Sequence, residues 1–93
     1  MIRREGPRML LSGPVTLGNV AALLEEGRGH LADGADVVDL ADVTEMDSAL
    51  LALMLAWLRD AKASERTLSF ANLPESLRTI ARLYGVDRLL PVS

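Results

Sequence analysis

Ten consecutive apolar residues, Ala49 to Leu58, follow directly on the polar pair Asp47-Ser48, and charge returns only at Arg59, Asp60 and Lys62. The run is too long and too rich in Leu and Ala for a strand, so a helix is expected over residues 48–63. It falls short of the ~18 residues of a membrane-spanning helix, so it belongs to a folded domain. On a helix, Leu51, Met54, Leu55 and Leu58 share one face, wide enough to cover a sheet. Ala49, Leu50, Leu53 and Trp57 fall on flanking or opposite faces. Either a neighbouring helix covers this second stripe, or the stripe is a contact surface. Trp and Met are among the types enriched at interfaces.

With 93 residues and no repeat, linker or low-complexity tract, one domain over residues 1–93 is expected. Only Trp57, Phe70 and Tyr84 are aromatic, so the core must be built mostly of Leu, Val and Ala. The formal net charge of −3 and the lack of a basic pole argue against nucleic acid as a partner. The absence of cysteine excludes a disulfide framework, thiol catalysis and cysteine-ligated zinc, and suits a reducing compartment. No signal-peptide pattern opens the chain, and a cytoplasmic location is expected.

Residues 1–4 suit a short edge strand, and Glu5-Gly6-Pro7 a turn. Residues 8–12 read as a strand broken by Gly13-Pro14. Thr16 is placed to cap a helix carrying Leu17, Val20, Ala21 and Leu24 on one face and running to about His30–Leu31. Val37 to Leu40 suit a buried strand, and residues 66–73 alternate as a strand with Leu68 and Phe70 facing one way. Pro74-Glu75 opens a last helix with Leu77, Ile80, Ala81 and Tyr84 as its apolar stripe, ended by Gly85. The tail carrying Leu89, Leu90 and Val92 is expected to pack back on the domain. Strands alternating with helices predict an α/β fold, a small mixed sheet covered by helices.

Enzyme chemistry finds little support. His30 is the single histidine, in a Gly-flanked stretch that suits a surface position, and "GPVTLG" lacks both the Lys of a phosphate loop and a dinucleotide pattern. Asp33, Asp36, Asp39, Asp42 and Glu45 recur every three residues, a spacing that scatters side chains over both faces of a strand instead of converging on a cation. Only Asp39 and Asp47 could meet near the strand's end, and hydrogen bonding within the loops is the favoured role for these carboxylates. No metal, cofactor or catalytic residue is therefore assigned. Arg78 and Arg82 share a helix face that is expected to be solvated. Ser48, with Asp47, sits where a helix cap belongs. A hydroxyl there could also serve as a switch: a phosphate would be favoured by the helix N-terminus and would set about two negative charges beside an apolar patch.

"VVDLADVTEMDSALLALML" resembles the signature of STAS domains: a hydrophobic strand ending in Asp-Leu, a short turn, then Met-Asp-Ser opening a helix. The resemblance extends over "LLSGPVTLGNVAALLEE" and "LSFANLPESLRTIARLYGVDRLLPVS", nearly the whole chain. It implies the STAS fold and a non-enzymatic, cofactor-free protein that works by binding another protein. Two branches of the family fit. The first, which "LSGPVTLGNV" and "SLRTIARLYGVDRLLPV" resemble, is the STAS subunit of the Mla phospholipid-transport system. That subunit binds the ATPase of an inner-membrane ABC transporter that maintains outer-membrane lipid asymmetry, and so lies peripheral to the inner membrane. The other is the anti-sigma-factor antagonist, whose motif serine, here Ser48, is phosphorylated by an anti-sigma kinase. Family members often carry a glycine after that serine; here Ala49 and Leu50 follow. The added bulk favours a constitutive apolar contact and hence the transporter branch. The resemblance and the apolar run together nominate Thr44, Glu45, Met46, Asp47, Ser48, Ala49, Leu50, Leu53 and Trp57 as partner-binding residues. An apolar patch there could also drive homodimers of the isolated chain.

Overall fold

The computed structural model describes residues 1–92 and contains β1 (Ile2–Glu5), β2 (Arg8–Val15), α1 (Val20–Ala32), β3 (Val37–Met46), α2 (Ser48–Ala63), β4 (Ser69–Ala71), α3 (Glu75–Leu83) and a closing 3-10 turn at Asp87–Leu89. The sheet has the order β1-β2-β3-β4. The first pair is antiparallel and the other two are parallel, as a mixed sheet requires. Both parallel crossovers step in the same direction, and right-handed connections then place α1 and α2 on one face. Met9, Leu11, Val38 and Leu40 are buried on that face. Their strand neighbours Arg8 and Asp39 point the other way and form an ion pair at 2.7 Å.

α2 is the centre of the core. Leu50, Leu53, Met54 and Trp57 are each 0–1% exposed. At roughly 1.5–3 kcal/mol per buried side chain, these four contribute on the order of 10 kcal/mol, as much as the whole net stability of a typical domain. The second stripe of the apolar run is thus covered by a neighbour. Gly27 of α1 lets the Trp57 ring approach so closely that a Cβ there would lie 2.2 Å from Cζ2. The indole Nε1 donates to the Leu24 carbonyl at 3.2 Å. Arg28 of α1 then bonds Asp60 of α2 at 2.7 Å along the seam. Leu55 and Leu58, expected on the fully covered face, are only partly buried.

Several boundaries differ from the sequence expectation. β2 does not break at Gly13-Pro14; it runs on to Val15, with register shifts against β3 that take up Gly13 at φ 80° and a proline without an amide donor. β3 therefore extends to Met46 beyond its buried half. α1 starts at Val20, not beside Thr16. Asn19 Oδ1 accepts from the Thr16 amide and its Nδ2 donates to the Pro14 carbonyl, which closes a turn over residues 16–19 before the helix begins. Leu17 is consequently 77% exposed and no part of the helical stripe. β4 shrinks to three residues, ended by Asn72 in the left-handed region at φ 57°. Tyr84 leaves the α3 stripe and is 64% exposed, while Leu90 of the tail is buried and Leu89 and Val92 are not. Gly85, at φ 71°, ends α3 as expected.

Candidate partner-binding site

The motif segment lies where β3 passes into α2. Two irregularities build it. Asp39 Oδ1 accepts from the amide of Ala41 two residues on, at 2.9 Å, where β3 slips one residue against β2 between the Leu10 and Ser12 pairings. A second slip follows between Gly13 and Pro14. Bulges bend and twist a strand, and beyond them Ala41, Asp42, Thr44 and Glu45 are exposed. Asp39 itself is 8% exposed. Burial raises its carboxyl, but hydrogen bonds from Asn72, the Ala41 amide and Arg8, with the Arg8 charge, hold it below its ordinary value overall. The same carboxylate thus joins β2, the β3 bulge and the end of β4.

Asp47 is the cap of α2. Its Oδ1 accepts from the Ala49 amide at 2.8 Å and its Oδ2 from the Leu17 amide at 3.3 Å. One carboxylate therefore closes the helix N-terminus and ties the β2–α1 loop to it. Ser48 is the first helical residue, not the cap, and is exposed. With capping done by its neighbour, its hydroxyl is left for solvent or a partner. Met46 is half-buried, and the Ser76 hydroxyl at the start of α3 lies 3.6 Å from its sulfur. Asp39 and Asp47 do not meet: each is satisfied by its own donors. Among the described residues, no three His, Asp or Glu side chains converge as a metal site would need.

The nominated residues divide in two. Thr44, Glu45 and Ser48 are exposed, and Met46 and Asp47 partly so. Ala49, Leu50, Leu53 and Trp57 are core residues, at most 3% exposed. Their nomination as contact residues is corrected, since reaching a partner through them would mean opening the domain. The apolar patch expected to drive homodimers is the same buried stripe. Leu50 also points inward, so its bulk does not stand in the way of a partner at Ser48. Sequence reasoning missed Leu17 and Ser76, which the fold brings beside Asp47 and Met46 from the β2–α1 loop and α3. Nothing local to either residue signals that meeting, because it depends on how three connections converge on one end of the sheet.

A family model described as "Mlab, STAS domain" matches residues 2–91. Among solved structures, the anti-sigma factor antagonist SpoIIAA in its unphosphorylated form superposes with a TM-score of 0.73 at 15% identity, covering 100% of this chain and 86% of that one. A putative anti-sigma factor antagonist from Thermotoga maritima superposes at 0.77 with 16% identity, covering 99% and 83%. At such identities the likeness is one of fold. No helix among the described residues is long and apolar enough to cross a membrane.

Proposed function

The chain belongs to the STAS family, in the group described as Mlab, and from that premise we propose that it is a non-enzymatic subunit that binds and stabilises the cytoplasmic ATPase of an inner-membrane phospholipid-trafficking ABC transporter. The observation that carries this reading is the match of that family model over residues 2–91. The docking end is the surface of Thr44, Glu45, Met46 and Ser48, bordered by Leu17 and Ser76 and held in shape by the Asp47 staple. The core of α2 stays closed in the complex, and the protein sits at the inner membrane only through its partner.

A second reading, an anti-sigma-factor antagonist switched at Ser48, is favoured by one observation: the Ser48 side chain is exposed at a helix N-terminus that Asp47 already caps. A phosphate there would leave the cap intact and change only the surface charge. Affinity purification from the native cells, with identification of the bound proteins, separates the two. The proposal expects an ABC ATPase with its permease; a kinase-like anti-sigma factor in their place would overturn it.

A further inference from the structure

At the opposite end of α2 from Ser48 lies a groove of about 760 Å³, open between the helix, the approach to β4 and the C-terminal tail. Leu55, Leu58, Leu68, Leu89 and Pro91 give it an apolar lining. Leu89 is 61% exposed although it forms part of that lining. Arg59, Lys62 and Arg66 stand around it, with Asp36 the one acidic residue in the lining. On a chain of net charge −3, this is a local reversal of sign. Arg66 also donates to the Leu31 carbonyl, whereas Arg59 and Lys62 make no salt bridge among the described residues.

The backbone around the groove is already satisfied. β4 pairs with β3 on one side, and on the other the Phe70 amide donates to Pro91 and Phe70 bridges Val92 in parallel. An incoming extended strand would find no free edge there to extend. What the groove offers is side chains at helical spacing, with Leu55, Leu58, Arg59 and Lys62 forming a stripe along α2. A partner that brings its own backbone hydrogen bonds, an apolar face and negative charge beside it fits that surface. We propose that the groove is a second docking site, for an acidic amphipathic helix of a partner protein. It is separate from the Thr44–Ser48 surface and does not depend on which partner that surface takes.

The probe is a fluorescent peptide of about 16 residues built from Glu, Ala and Leu, with Leu on one face and Glu flanking it. Its binding to the full chain is followed by anisotropy, and the site is located from backbone NMR shifts. Saturable binding is expected, with shifts at Leu55–Lys62 and Leu89. The double variant Arg59→Glu/Lys62→Glu should weaken it about tenfold or more, as should a Glu→Gln peptide or added salt. Both replaced side chains are exposed, and circular dichroism checks that the variant is folded. Ser48→Glu should leave the binding unchanged. The proposal is overturned by no peptide binding at about 1 mM, by equal binding of a Lys-flanked peptide, or by shifts confined to Thr44–Ser48. Self-association of the chain through Leu89, or capture of anionic vesicles without the peptide, would also overturn it.

Discussion

The Trp57 indole and Gly27 are in such close approach that α1 and α2 could not pack as they do with any side chain at position 27. Gly29, two residues on and exposed, has nothing within 4 Å of where a Cβ would stand. Gly27→Ala should therefore destabilise the domain by about 2–3 kcal/mol through overpacking, a fall of roughly 10 °C or more in Tm. Gly29→Ala should stabilise it by up to about 1 kcal/mol through helix propensity. Urea titration of the two variants side by side checks the contrast, and equal effects would contradict it.

Trp57 is the single tryptophan and is fully buried. Its emission should be blue-shifted and resist iodide quenching, and it should stay so when a partner binds at the α2 N-terminus. A red shift or new quenching on complex formation would mean that the core of α2 opens.

Asp39 sets an acid limit on stability. Its carboxyl is held below its ordinary value in the folded chain. Its contribution is therefore fully present above the unfolded value of about 3.9 and is lost as pH falls through the folded one. Asp39→Asn should remove that part of the acid dependence and, by weakening the tie among Arg8, Ala41 and Asn72, lower stability at neutral pH by about 1–3 kcal/mol. Stability measured in denaturant from pH 7 to about 3 checks the slope. Parallel curves for the wild type and the variant would rule out this role.

Asp47 has two jobs that a substitution can separate. Asp47→Ala loses the cap and the hold on Leu17 and should cost about 1–2 kcal/mol. Asp47→Asn keeps an acceptor oxygen and should cost less than half as much. Hydrogen exchange should rise at the Leu17 and Ala49 amides in the alanine variant; protection unchanged at Leu17 would break the proposed link between loop and helix.

α2 was legible to the residue, because a polar cap, a Leu- and Ala-rich run and returning charge all agree on where a helix starts and stops. The mixed sheet followed from the alternation of strands and helices. Which stripe of α2 is covered was not legible, since periodicity gives faces but not neighbours. Gly27 held the answer, yet a glycine in a helix reads locally as a weakness. The lengths of β2 and β3 were misread for a related reason: Gly13-Pro14 marks a break in isolation, and only a paired strand can absorb it as a bulge. The candidate site was half legible. The Asp47-Ser48 pair at the helix start could be placed from the motif, but not that Asp47 alone caps and leaves Ser48 exposed, while Leu17 and Ser76 join them only through the topology.

Titration of the proposed partner, an ABC-transporter ATPase subunit, with the purified chain tests docking at the α2 N-terminus most directly. The wild type should form a stable complex, the Arg59→Glu/Lys62→Glu variant should retain this contact, and Ser48→Glu should weaken it by about 30-fold or more, because a charge would be set in the contact itself. Failure of the wild type to bind, or equal affinity for wild type and Ser48→Glu, would contradict docking through the Thr44–Ser48 surface.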